Sequence, residues 1–200
     1  MKMKFLSVIT VMILAFTACS KNNTEPKPLA NEPKAGSTWI FKRNTYNEAG
    51  AVLTTSNITI VAVSATISFM TWLNLVDQST MQPVFAVQKR PDGWWYIPNA
   101  GGNTFASLWF KYPATVNETY PNVYGMSTVK EINASVTVPA GTFNGCYMVE
   151  GRDNNGLKDE FWFSNEAALL IKFNTYAPKA AGPASNVYKK ESLELVSFTR

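Results

Sequence analysis

V-T-V-P-A-G-T-F-N-G-C-Y-M-V, residues Val136 to Val149, reads as two strands joined by a tight corner. Val136 and Val138 share one face of the first strand and Thr137 takes the other. Pro139 supplies the fixed φ that a type I turn needs at its first corner position. Gly141 can then take φ > 0 and restore the strand twist. Phe143 resumes the second strand, where period two puts Cys146 with Met148, and a bulge at Gly145 throws Phe143 out of phase. The chain has no histidine to activate the Cys146 thiol. The hairpin also holds no positive residue close enough to lower its pKa. Cys146 is therefore expected to pack as a small hydrophobe.

Outward from this hairpin the same pattern recurs. Trp39 to Tyr46 alternates apolar with polar residues and ends at the turn N-E-A-G, and Val52 to Val63 is rich in Val, Ile and Thr. Thr66 to Val76 alternates again, with Ile67, Phe69, Leu73 and Leu75 on one side. Pro83 to Lys89 pairs with Trp94 to Ile97 across R-P-D-G, and D-N-N-G (Asp153 to Gly156) turns the chain into Leu157 to Phe163. In Phe105 to Tyr112, Leu108, Phe110 and Tyr112 fall on one face, and Phe105, Ser107, Trp109 and Lys111 on the other. Only Ser164 to Leu170 suggests a helical turn or two, and Val187 to Phe198 forms the last strand. About ten strands and almost no helix predict a single antiparallel all-β domain over residues 37–200, either a curled sheet or a barrel.

The N-terminal end carries a different message. M-K-M-K, an apolar run of about a dozen residues and T-A-C form a signal peptide over residues 1–18. That run is short of the roughly 20 residues of a transmembrane helix. Cys19 stands where bacterial lipoprotein signals place the lipidated cysteine, with Ala18 before it and Phe16 where Leu is usual. Residues 19–36 hold the cysteine and a polar, proline-bearing tether unable to bury a core. Ser20, rather than Asp, follows the cysteine. In the lipoprotein sorting pattern this implies a membrane-anchored protein of the outer membrane, and the lack of an acidic run after the cysteine favours its periplasmic face over the cell surface.

The body resembles exported β-rich bacterial lipoproteins of unknown function. Their pattern is G-x-x-W-x-Y near the mature start, F-P-x-x-x-G-x-x-W in the middle, V-P-A-G-T-F-x-x-C, then W-Y/F leading to G-L-V-K. Here these correspond to Gly36 through Phe41, Tyr112-Pro113 through Tyr120, Val138 through Cys146, and Trp162-Phe163 with Leu169 to Lys172. Asn117 replaces the middle Gly, Tyr120 replaces Trp, and Glu166-Ala167-Ala168 stands where Gly is expected. The resemblance implies an architecture and brings no activity with it.

Composition excludes several classes of chemistry. The chain has 18 basic and 14 acidic residues. Removing Lys2 and Lys4 with the signal leaves 16 against 14, scattered rather than forming the basic patch of a nucleic-acid binder. Without histidine there is no Ser-His-Asp triad, no Cys-His pair and no His-bearing metal site. Once Cys19 is lipidated, Cys146 has no partner within the chain. Ser127-x-x-Lys130 has a Ser-Lys nucleophile spacing, but on a strand those two residues face opposite ways. Glu150, Asp153, Asp159 and Glu160 cluster about D-N-N-G, which is the wrong pattern for a calcium loop, and read as solvated charges. No cofactor and no metal are expected.

The aromatic residues are the remaining lead. Trp94 and Trp95 are adjacent on a strand and cannot both enter one core. One of them, with Trp109 and Lys111, could line a second surface. Such a surface would be an aromatic platform for sugar rings or an apolar concavity for an acyl chain. The alternative is a curled sheet that buries both faces. The chain thus reads as a non-enzymatic binding lipoprotein for an apolar or glycan ligand. The competing reading is a structural or protein-interaction protein of the envelope.

Overall fold

A computed structural model describes residues 32–98, 105–123, 125–181 and 186–200. The signal segment, Cys19 and nearly all of the tether lie outside the described residues. Six strands come from the first half: β1 (Thr38–Tyr46), β2 (Val52–Ile67), β3 (Met70–Asp77), β4 (Gln82–Arg90), β5 (Gly93–Pro98) and β6 (Ser107–Lys111). Six more follow: β7 (Thr119–Pro121), β8 (Gly125–Val138), β9 (Gly141–Asp153), β10 (Lys158–Ser164), β11 (Leu169–Pro178) and β12 (Val187–Thr199). All belong to one antiparallel sheet in the order β6-β5-β4-β3-β2-β1-β12-β11-β10-β9-β8-β7. It consists of two six-stranded meanders, joined where β1 pairs with β12 from Thr38↔Thr199 to Thr45↔Glu191.

The sheet curls until β6 meets β7, which makes it a nearly closed barrel. No ladder joins those two strands among the described residues. The seam is held by side chains: the Tyr120 hydroxyl donates to the Trp109 carbonyl at 3.0 Å, and Lys111 forms an ion pair with Glu118. Burial pushes the Tyr120 phenol up to about 12, so it stays a donor.

The hairpin corners are built as their sequences dictate. Val138 pairs with Gly141 across Pro139-Ala140, with Gly141 at φ 127°. The Ala140 N–H donates to the Leu195 carbonyl at 2.9 Å, which ties this corner to β12. At R-P-D-G, Arg90 pairs with Gly93. A Cβ on Gly93 would lie 2.1 Å from the Phe110 carbonyl oxygen, so only glycine lets β5 approach β6 this closely.

Three expectations change. Thr66 to Val76 is not one strand: the chain reverses at Ser68-Phe69, with φ 49° and 65°, and Ile67 pairs with Met70. Positive φ at both central positions gives a turn of the I′ kind, which matches strand twist but normally uses Asn and Gly. Phe69 is consequently fully exposed at the tip instead of sharing a face with Leu73 and Leu75. Ser164 to Leu170 is a turn rather than helix, because the Ser164 hydroxyl accepts the N–H groups of Glu166 and Ala167 at 3.1 and 3.3 Å. Finally, β6 is bulged. Trp94 pairs with Phe110 and Trp95 with Leu108, leaving Trp109 as the extra residue, so Trp109 and Phe110 are both buried.

Candidate functional site

Along each strand, alternate residues face the barrel axis, and their chemistry changes with height. On β1 the inward series runs Arg43, Phe41, Trp39, and on β12 it runs Glu191, Leu193, Leu195. On β10 it is Asp159, Phe161, Phe163, and on β3 it is Asp77, Leu75, Leu73. Each begins with a charge at one end of the barrel, passes through an apolar or aromatic side chain, and finishes in packed core. The end with the charges is open. The other is closed by the P-A-G corner and the turn between β10 and β11.

The closed end is filled. Phe110 stacks on Phe163 at 4.5 Å between ring centroids and meets Tyr147 edge-on at 4.9 Å. Trp39 is fully buried, and its indole N–H donates to the Ala167 carbonyl at 2.9 Å, pinning the β10–β11 turn under the barrel. Ala168 in that turn has φ 58°, and Asn117 before β7 has φ 67°. These are two places where the sequence departs from an expected glycine. The backbone there is left-handed all the same.

Above this floor the interior is hollow. A cavity of about 680 Å³ opens at the charged end. Twelve strands enclose more space than side chains readily fill, since barrel diameter grows with strand number. Ile58, Phe85, Phe161, Phe173 and Leu193 line the cavity and are only half-buried although they point inward, so their exposure is to the cavity. Phe161 stacks on Phe173 at 4.8 Å, and Trp109 forms the floor, edge-on to Phe85 at 4.9 Å and to Phe163 at 5.0 Å. Gly151 leaves this wall open: a Cβ there would press to 3.3 Å on the Phe161 ring.

The rim is polar. Arg43 and Glu191 form an ion pair at 2.6 Å. Asp77 accepts both the N–H and the hydroxyl of Ser79, at 2.8 and 2.7 Å, and these bonds hold its carboxyl below the usual range. Asp153 caps the D-N-N-G turn by accepting the N–H groups of Asn155 and Leu157. Asp159 is treated differently by its surroundings. Burial pushes its carboxyl up to about 6, the Asp153 charge adds to this, and a bond from the Tyr176 backbone opposes it.

Of the four aromatic and basic residues singled out from the sequence, the structure brings only Trp109 to the cavity. Trp94 is buried in the packed half beside Phe110 and Phe163. Trp95 is on the outer face, with the Arg90 guanidinium 4.4 Å over its ring and its N–H on Asp92 at 2.9 Å. Lys111 is held at the seam by Glu118. The acidic cluster is also split by the pleat. Glu150 and Glu160 pair with Arg152 and Lys158 at 2.8 Å each, whereas Asp153 and Asp159 line the cavity and are not simply solvated. The missed residues, Phe161 and Phe173 above all, carried a signal in the alternation Asp159-Phe161-Phe163. Only closure of the sheet shows which face is the inside.

Other candidates are structural. Cys146 is fully buried with Phe143, its thiol donates to the Phe143 carbonyl at 3.4 Å, and burial raises its pKa to about 11. Gly145 (φ 68°) supplies the bulge that brings Phe143, Cys146 and Tyr147 all into burial. Ser127 is buried against the Asn122 amide at 2.8 Å and Lys130 is exposed, so no Ser-Lys pair forms. No group of His, Cys, Asp and Glu able to hold a metal occurs among the described residues, and no helix there is long and apolar enough to cross a membrane. No protein-family model matches the chain, and neither does any curated protein sequence.

Proposed function

We propose that this chain is a lipid-anchored binding protein of the bacterial cell envelope that holds an apolar ligand inside its barrel. The observation that carries the reading is the cavity of about 680 Å³, walled at mid-depth by hydrocarbon and aromatic rings. Its volume lies within the roughly 300–1,000 Å³ of small-molecule sites, which are mostly apolar with a few polar groups that orient the ligand. An apolar ligand is favoured over a glycan because ring hydroxyls would meet Leu75, Phe161 and Phe173 without partners. Binding is favoured over catalysis by the absence of histidine. The anchor rests on the signal-like residues 1–18 and on Cys19, with the periplasmic face of the outer membrane as its address.

Titration with the neutral fluorophore N-phenyl-1-naphthylamine tests the reading, together with native mass spectrometry of the purified protein. Saturable one-site binding, weakened by Trp109→Ala, is expected. No saturable binding together with a clean apo mass would sink it. Metabolic labelling with a radioactive fatty acid, lost in Cys19→Ser, tests the anchor.

The second reading, a protein-interaction protein, draws on Phe69, which is fully exposed on a turn that places two non-glycine residues at positive φ. Such conformations cost of order 1–3 kcal/mol and gather at functional sites. Loss of crosslinks to envelope proteins in Phe69→Ser, with fluorophore binding intact, would favour it.

A further inference from the structure

We propose that the ligand is a cationic amphiphile, a single long chain with an amine or quaternary ammonium head, rather than a fatty acid. This rests on the binding reading above and names the ligand's class. The charged residues on the cavity wall are Arg43, Arg152, Asp77, Asp153, Asp159 and Glu191, two cations against four carboxylates. Both cations are already engaged. Arg43 is paired with Glu191 at 2.6 Å, and Arg152 donates to Glu150 at 2.8 Å and to the Gly156 carbonyl at 3.2 Å. Asp77 and Asp153 are bonded only to neutral donors of their own turns, and Asp159 only to a backbone N–H.

An anionic head at this rim would face uncompensated like charge and find no free counter-ion. A cationic head would find three carboxylates lacking one. Aromatic faces attract cations through their quadrupole, and the stacked pair Phe161 and Phe173 lies one step down the wall, with Phe161 two residues along β10 from Asp159. The chain of the amphiphile then runs over those rings to Trp109. One donor remains: the Arg43 Nε–H is buried without an acceptor, so a hydroxyl or carbonyl oxygen beside the cation would be satisfied there.

Displacement of N-phenyl-1-naphthylamine by dodecylamine, dodecanol and laurate, all below their micelle concentrations, tests the assignment. Dodecylamine should displace at a concentration about tenfold below laurate, with dodecanol between, the size expected of one favourable charge contact at a half-solvated rim. Added salt should shrink that gap on the unmodified protein, because rim charges are screened. Asp159→Asn should weaken dodecylamine severalfold more than it changes dodecanol. Laurate binding as well as dodecylamine, or a gap that neither salt nor Asp159→Asn reduces, overturns the head-group assignment while the cavity reading survives. Failure of dodecanol and dodecylamine alike to displace the fluorophore overturns both.

Discussion

The two halves of this barrel share strands but not physics. In the closed half, Phe110, Tyr147, Phe163 and Trp39 interlock, and water reaches none of them. In the open half, inward residues such as Phe161, one step above Phe163, and Leu193, one step above Leu195, are only half-buried and face the void. Stability should therefore concentrate in one half and be nearly absent from the other. An interior that must stay empty cannot contribute packing energy, so the floor has to carry the fold.

The sharpest way to break that contrast is a pair of truncations. Phe110→Ala should cost about 3–5 kcal/mol in chemical denaturation, as for other buried aromatics. Phe173→Ala, on the cavity wall, should cost no more than about 1–2 kcal/mol, since half its neighbours are already missing. Equal losses would show the open half to be packed after all.

A smaller effect is expected at the rim. Asp159 titrates near 6 in the folded protein against an ordinary 3.8, so the folded state binds the proton more tightly. Stability attributable to this group falls as pH rises from about 4 to about 6 and stays low above that. Asp159→Asn should accordingly stabilise the protein by about 1–2 kcal/mol near pH 8, discounted for water at the mouth, and by nothing near pH 4. Thermal melts at the two pH values would show it, and a gain present only at the acid end would contradict it.

Smaller still is the gain available at the Ser68-Phe69 turn. Phe69→Gly removes a fully exposed side chain from a left-handed position and should stabilise by about 0.5–1 kcal/mol. A loss would mean that the ring makes stabilising contacts along the hairpin. The smallest effect is expected from filling the void: Ile58→Trp should change stability by less than about 1 kcal/mol while abolishing fluorophore binding. A severe loss there would mean that the cavity does not tolerate filling.

Much of this architecture was legible where the chain advertises its corners. R-P-D-G, V-P-A-G and D-N-N-G each pair a φ-fixing or capping residue with a glycine, and each forms its turn. The reversal at Ser68-Phe69 went unread because neither residue marks positive φ, and alternation continues across it. The bulge at Trp109 is equally silent. It depends on how β6 meets Gly93 and β5, a contact no local pattern encodes. The cavity lies further from sequence, since a half-buried Phe161 and a core Phe163 look identical in an alternating string. What separates them is their distance from the barrel floor, a property of the closed sheet.

The seam between β6 and β7 has a mechanical consequence. A fully laddered barrel has a fixed girth, because widening it means breaking a row of backbone hydrogen bonds. Here, among the described residues, a tyrosine hydroxyl and a lysine–glutamate clasp stand in place of a ladder, at the strand that also carries Trp109. An outward shift of β6 leaves every ladder among the described residues intact, but it has to slide Phe110 and Trp109 along Phe163. A guest bulkier than the resting volume therefore strains the side-chain packing of β6, its two clasps and the ring contacts of Phe110 and Trp109 with Phe163, before it strains any backbone ladder.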